Sequence, residues 1–217
     1  MPSSSLREHE SVDMENRVTF FSRLEPFLTP KVLLDVQHAY TLAKYGHRAQ
    51  IRKELDTQGD PVRYFEHVRR VSIILIDEAK CVRPEMVCAA LLHDIIEDAP
   101  NLPPALIEHC FGTDVCSIVK TLSKDPKEGY IDRFNMCTDW RPYVIKACDR
   151  LDNLRSLEGT AAAFRSRQVE ETREKYFPLF DRMLTLTPNE YLVRVQHLRD
   201  EVRKTTERQA TLNETVR

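Results

Sequence analysis

The stretch from Met86 to Ile96 (MVCAALLHDII) constrains the fold more than any other part of this chain. It follows Pro84, a residue suited to the first turn of a helix, and it is apolar almost all the way round a helix. A helix without a polar face must be covered by other elements on every side. The stretch therefore predicts a central helix enclosed by several others.

The rest of the chain supplies helices for that enclosure and few signs of strands. Only five glycines occur among 217 residues, whereas β-sandwiches and glycine-rich phosphate loops need many. Apolar residues recur at steps of three and four, as they do from Val32 to Ala43 after the capping pair Thr29-Pro30. We predict an all-α fold, a single domain of roughly ten helices.

Composition divides the chain into one helical domain and two polar ends. Residues 1–13 are Ser-rich and predict a flexible N-terminus, residues 14–208 carry the helical patterns, and residues 209–217 form a polar tail. Within the domain, the polar stretches 53–62 (KELDTQGDPV) and 123–129 (SKDPKEG) predict loops.

Charge, cysteines and hydropathy exclude several classes of protein. The net charge of −2 gives no basic field that would gather nucleic acid, so an anionic substrate must meet a local basic cluster. The six cysteines are scattered without CxxC spacing, which predicts reduced core residues. The sequence shows neither a signal peptide nor a membrane-spanning apolar run, so we expect a cytosolic protein that does not bind membranes.

Four ionisable residues interrupt the predicted central helix within LLHDIIEDA: His93, Asp94, Glu97 and Asp98. If these groups were buried without partners, each would cost several kcal/mol. On a continuous helix His93 and Glu97 would share one face, as would Asp94 and Asp98. A divalent cation would compensate such a group, since imidazole and carboxylate together suit manganese, iron or zinc.

Two further apolar segments carry isolated polar residues of the same kind. His67 lies in RYFEHVRRV, and Asp149 and Asn153 share one line of VIKACDRLDNLRSL. Taken singly, His67 could be an ordinary core histidine, and Asp149 could pair on a helix surface with Lys146 or Arg150. Taken together with the His93-Asp94 pair, they place candidate metal ligands on three separate helices.

These motifs, in this order, resemble the hydrolase domain of the RelA/SpoT family, and most closely its stand-alone small alarmone hydrolases. The likeness rests on YFEH, then HDxxED within LLHDIIEDA, then KACDRLDNLRSL. Upstream, AYTLAKYGHRAQIRK is similar to the family segment that has His and Gln before a basic pair. The resemblance covers roughly residues 35–180.

The sequence departs from the family pattern at four places without losing a candidate ligand. Val68 stands where the family usually has Pro, Ala49 where it has Gly, and Cys148 where Ala is common. The turn at 54–62 is longer and more acidic than usual. These differences concern the nucleotide pocket and therefore the identity of the substrate.

The resemblance implies an all-α HD-type hydrolase domain over residues 14–208. It implies an enzyme that uses Mn²⁺ to remove the 3′-diphosphate from ppGpp or pppGpp, releasing GDP or GTP and pyrophosphate. It implies these site residues: His67, His93, Asp94 and Asp149 as metal ligands, Glu97 and Asp98 to activate or orient water, Asn153 beside the water, Arg52 against the guanine base with Lys53 next to it, and Tyr176 near the nucleotide.

Two other functions remain compatible with the sequence. The same site could act on a related small nucleotide such as ppApp or NADPH, and an antitoxin that clears the product of a small alarmone synthetase would belong to this class. Alternatively, the chain could be an inactive regulatory module that binds without catalysis. Metal binding and turnover of defined nucleotides discriminate among these possibilities.

Overall fold

The structure, a computed structural model, describes residues 16–56, 58–158 and 160–214, with residues 213 and 214 described by their backbone alone. Its helices are α1 (Arg17–Ser22), α2 (Pro30–Gly46), α3 (Tyr64–Asp77), α4 (Pro84–Leu92), α5 (Ile95–Asp98), α6 (Pro104–Leu122), α7 (Tyr130–Met136), α8 (Trp140–Arg155), α9 (Ala162–Glu171), α10 (Phe177–Leu186) and α11 (Asn189–Glu214). Two short strands, β1 (Ile51–Leu55) and β2 (Pro61–Arg63), form an antiparallel hairpin. The predicted all-α fold is confirmed.

The predicted central helix is α4, which is buried throughout from Met86 to Leu92 and is contacted by α2, α3, α6 and α8. It ends earlier than predicted. Asp94 has φ −103° and ψ 1°, which breaks the helix before the separate turn α5 begins at Ile95. The expectation of one continuous helix through His93 and Asp98 was therefore wrong, and these residues do not share simple helical faces.

The polar stretch predicted as a loop at 53–62 is the outer part of the hairpin. Ile51 pairs with Arg63 across the two strands, so regular structure extends further than the sequence indicated. The turn between the strands is closed by Asp56, whose carboxylate accepts hydrogen bonds from two backbone amides, and by Gly59 at φ 88°. Side chains of β1 alternate in exposure, which turns Arg52 towards the helices.

Helix α8 packs against α3, α10 and α11 and is buried over most of its length. It nevertheless carries Lys146, Asp149, Arg150 and Asp152, all of them buried. Charged groups in such surroundings need partners or a bound ion. These buried charges indicate a functional site where α8 packs against α3 and the C-terminal end of α4.

Two further predictions concern the ends of the domain and its membrane association. The division at residues 14 and 208 stays a prediction, because residues 1–13 lie outside the described range and α11 continues to Glu214. None of the described helices combines the length and the hydropathy that crossing a bilayer would require.

Candidate metal centre and active site

Three separate elements bring His67, His93 and Asp149 together in the core. One ligand atom from each lies within 4.8 Å of the other two, and all three residues are buried. Asp149 Oδ1 is 3.2 Å from His67 Nε2 and 3.9 Å from His93 Nε2. The site thus joins α3, the turn after α4 and α8, as the sequence predicted for these residues.

Asp94, the fourth candidate ligand, lies beside both imidazoles. Its Oδ2 atom is 3.0 Å from His93 Nε2 and 3.9 Å from His67 Nε2. The same oxygen accepts a hydrogen bond of 2.5 Å from the hydroxyl of Tyr64 at the start of α3. Tyr64 belongs to the apolar segment RYFEHVRRV, and nothing in the sequence pattern indicated this contact.

His93 supplies the test of whether these residues fit a metal ion. Its Nδ1 lies 2.8 Å from the carbonyl oxygen of Ala90, and since a carbonyl only accepts, Nδ1 carries the proton. Nε2 is therefore the atom that faces the neighbouring carboxylates and that can bind a cation when it is unprotonated, and it is buried without a hydrogen-bond partner in the described part of the chain. A cation between these groups would satisfy them, and two imidazoles with carboxylates are a donor set for divalent transition metals. The residues therefore fit a divalent metal site.

The pKa shifts of His93 and Asp94 also indicate a site for a cation. Burial lowers the pKa of His93, but the charges of Asp94 and Asp149 outweigh burial and raise it to about 9. Burial raises the pKa of Asp94, and the adjacent His93 reverses this and holds it well below its usual range. Without a metal the carboxylates thus favour the protonated, positively charged form of His93, so the cluster favours a bound positive charge.

Asp149 has two further contacts within α8. Lys146 Nζ lies 2.6 Å from its Oδ2, and Asn153 Nδ2 donates to its Oδ1 at 2.5 Å. The pairing with Lys146 that the sequence offered as an alternative therefore exists, but on a buried face and beside the two histidines. The signal for it was a lysine one helical turn before the aspartate in an otherwise apolar segment.

The two predicted catalytic carboxylates have different surroundings. Glu97 Oε1 accepts a hydrogen bond of 2.6 Å from the backbone amide of Lys124, which ties the loop after α6 to α5. Asp98 is about a third exposed, and its Oδ2 lies 3.7 Å from His47 Nδ1. Burial, followed by the charges of Asp94 and Glu97, raises the pKa of Asp98 to about 6. Asp98 is thus the more available of the two as a proton acceptor.

A cavity of about 430 Å³ opens onto this cluster and is lined by Asp94, Asp149, Arg52, Lys53, Asn153 and Tyr176, among others. The Arg52 guanidinium donates to Asn153 Oδ1 at 2.9 Å and to Ser156 Oγ at 3.1 Å. Asn153 therefore bridges Arg52 and the candidate ligand Asp149. Lys53 lies with its ammonium 4.6 Å from the centroid of the Phe164 ring.

Tyr176 reaches the cavity from a π-helical turn, Thr172–Tyr176, which joins α9 to α10. Pro178 follows it and has no N–H to bond the carbonyl four residues back, which accounts for the irregular turn. The guanidinium of Arg150 stacks 3.9 Å from the centroid of the Tyr176 ring. The structure thus brings the residues expected at the nucleotide to the cavity that holds the candidate ligands.

Comparisons with known proteins point to the same family. No protein-family model matches the chain. The bifunctional (p)ppGpp synthase/hydrolase SpoT of Escherichia coli K12 is 32% identical over 172 residues, 74% of this chain. The guanosine-3′,5′-bis(diphosphate) 3′-pyrophosphohydrolase MESH1 of Drosophila melanogaster is 36% identical over 143 residues, 62% of this chain and 74% of that protein.

Structural and length comparisons complete this finding. A solved structure of a metazoan SpoT ortholog, described as hydrolysing ppGpp, superposes with a TM-score of 0.52 at 28% identity and covers 79% of this chain and 95% of that one. The chain spans 23% of the length of the E. coli relative.

An all-α fold in which separate helices converge on a buried His/Asp cluster that could hold a metal ion is the arrangement expected of an HD-type domain. The relatives define it further: the chain belongs to the RelA/SpoT-type (p)ppGpp hydrolase family.

Proposed function

We propose that this protein removes the 3′-diphosphate from ppGpp or pppGpp and releases GDP or GTP with pyrophosphate. The observation that carries the proposal is the convergence of His67, His93 and Asp149 beside a cavity that Asp149 lines together with Arg52 and Asn153. A cation site next to basic and hydrogen-bonding groups suits a phosphorylated nucleotide. The names of the family relatives support this choice of substrate.

We propose Mn²⁺ as the resident ion, held by His67, His93, Asp94 and Asp149. Imidazole nitrogen and carboxylate oxygen together suit manganese, and other divalent ions with similar preferences compete for such a set. When bound, the ion supplies Lewis-acid chemistry that lowers the pKa of water and neutralises charge developing on phosphate.

The proposed hydrolysis needs a group that takes a proton from water. Asp98, with its raised pKa and partial exposure, accepts the proton of the attacking water. The new bond forms between the water oxygen and the phosphorus attached to the ribose 3′-oxygen, and the bond between that phosphorus and the 3′-oxygen breaks. The 3′-oxygen takes up a proton from solvent to become the hydroxyl, and Asp98 releases the proton that it accepted to solvent. Glu97 orients the site by holding the Lys124 amide.

Arg52, Lys53, Asn153 and Tyr176 bind the nucleotide in this proposal. Arg52 is anchored on one side by Asn153 and Ser156, so the planar face of its guanidinium is oriented for stacking on a base. The ammonium of Lys53 and the hydroxyl of Tyr176 supply further polar contacts at the same cavity.

Replacing Arg52 with alanine is expected to lower kcat/KM for ppGpp by about 10- to 100-fold, mainly through a higher KM. A hydrogen bond or stacking contact from a charged group contributes about 1.5–3 kcal/mol. Steady-state kinetics with saturating Mn²⁺ measure the effect. Arg63→Ala is the matched control, because Arg63 lies on the other strand of the same hairpin and pairs with Glu66. Equal losses in the two variants would contradict the assigned role of Arg52.

The proposed function is tested by incubating the purified protein with Mn²⁺ and, separately, ppGpp, ppApp and NADPH. Anion-exchange chromatography then resolves the products. Release of GDP and pyrophosphate from ppGpp, abolished by a chelator, is the expected result. Turnover of ppApp or NADPH alone would move the proposal to another nucleotide, and absence of any turnover by the metal-bound protein would favour a regulatory module.

A further inference from the structure

We propose that Asp152, itself held by Arg70, positions His67 for metal binding. This inference rests on the proposed metal-dependent function and adds a positioning residue that sequence reasoning did not identify. Asp152 lies on α8, one turn from Asp149, and only 3% of its surface is exposed. No candidate role in catalysis or nucleotide binding accounts for a buried carboxylate at this position.

The contact between Asp152 and His67 fixes which nitrogen of the imidazole faces the metal cluster. His67 Nδ1 lies 2.7 Å from Asp152 Oδ2, and His67 is 1% exposed. An ionised carboxylate only accepts hydrogen bonds, so the proton resides on Nδ1. Nε2 is thereby left to act as a ligand, and it is the atom that lies 3.2 Å from Asp149 Oδ1. Carboxylate partners of this kind orient many metal-binding histidines.

Arg70 holds Asp152 in that orientation. Its Nε atom donates to Asp152 Oδ1 at 2.7 Å, and one terminal nitrogen contacts Oδ2 at 3.2 Å. The same terminal nitrogen donates to Glu54 Oε2 on β1 at 2.7 Å. The planar guanidinium fork therefore fixes the plane of the Asp152 carboxylate. Both oxygens of Asp152 are used, one by Arg70 and one shared by Arg70 and His67.

These contacts predict a specific defect when Asp152 is replaced with asparagine. The amide keeps the size of the side chain but has an NH₂ group, which cannot accept a hydrogen bond, in place of one carboxylate oxygen. Either Arg70 Nε or His67 Nδ1 therefore loses its acceptor. His67 is then free to adopt the tautomer that carries its proton on Nε2, which is a poor ligand. Partners at this distance from the metal typically change metal affinity by about 10- to 100-fold.

The test measures the dissociation constant of Mn²⁺ by titration calorimetry on metal-free protein, together with the visible absorption of the Co²⁺ form. Glu78→Gln is the matched control. Glu78 directly follows α3 and pairs with Arg155 in the last turn of α8, with contacts of 2.5 and 2.9 Å. Its replacement therefore removes a carboxylate–arginine pair between the same two helices, away from His67. We expect Asp152→Asn to weaken Mn²⁺ binding by about 10- to 100-fold and to shift the Co²⁺ bands, with both readouts unchanged in Glu78→Gln.

Unchanged Mn²⁺ affinity in Asp152→Asn, or an equal loss in Glu78→Gln, would overturn the inference. If circular dichroism shows that Asp152→Asn does not fold, Arg70→Gln is judged by the same comparison, because it leaves Asp152 without its anchor. A wild-type protein that binds neither Mn²⁺ nor Co²⁺ would instead refute the proposed metal-dependent function. The two failures are therefore distinguishable.

Discussion

Replacing His93 with alanine is expected to lower kcat/KM for ppGpp by about 10³-fold or more. His93 Nε2 is buried and lies 3.0 Å from Asp94 Oδ2, among the other proposed metal ligands. Its loss removes one ligand of the proposed metal site. A bound ion contributes several kcal/mol of charge stabilisation in the transition state, and each 1.36 kcal/mol corresponds to a factor of ten in rate.

Steady-state kinetics and Mn²⁺ titration of the same His93→Ala preparation separate the two parts of this prediction. His109→Ala is the control, since His109 is an exposed histidine on α6. Circular dichroism verifies that both variants retain their helices. Full activity in His93→Ala with undiminished Mn²⁺ affinity would show that His93 is an ordinary core histidine, the alternative that the sequence alone left open for such residues.

The candidate ligands were accessible to sequence reasoning because burial makes polar residues conspicuous in apolar helices. His67, His93 and Asp149 each interrupt an apolar pattern, and a helix that must be enclosed cannot leave such groups to solvent. The helical period also places Asn153 on the line of Asp149, and the structure has these two in contact. The types of these residues and their order in the chain therefore sufficed to predict that the three side chains meet in the core.

The partners of these residues were not accessible in the same way. A periodic pattern assigns a residue to a face of its own helix but does not say which residue of another helix lies opposite. Contacts such as Tyr64 with Asp94 and Asp152 with His67 join positions 30 and 85 residues apart in the chain. They depend on how α3 packs against α4 and α8.

The sequence pattern also did not predict local breaks in the backbone. A continuous helix would have placed Glu97 on the face of His93 and Asp98 on the face of Asp94. The break at Asp94 instead places Glu97 against the backbone amide of Lys124. The hairpin that carries Arg52 was interpreted partly as a loop because its strands are short and its turn is polar. Short strands bury little apolar surface, so hydrophobic alternation is a weak signal for them.

Lys146 links the stability of the fold to the occupancy of the metal site. Its ammonium is buried and lies 2.6 Å from Asp149 Oδ2, so in the metal-free protein it compensates a carboxylate that is almost entirely buried. A divalent ion beside Asp149 would compensate the same charge. The lysine and the ion are therefore like charges that share one carboxylate, and each makes the other less necessary.

Replacing Lys146 with methionine is expected to lower the free energy of unfolding of the metal-free protein by about 3 kcal/mol. This is the lower end of the range for removing one partner of a buried ion pair, because Asn153 and His67 still contact Asp149. The loss should be smaller when Mn²⁺ is saturating, and by linkage the variant should bind Mn²⁺ more tightly than wild type. Urea denaturation with chelator and with Mn²⁺ measures both effects.

Lys204→Met, which removes an exposed lysine three residues from its partner Glu201, should change the stability by about 0.5 kcal/mol or less. An equal loss with and without Mn²⁺ would contradict the shared role of Lys146 and the metal at Asp149.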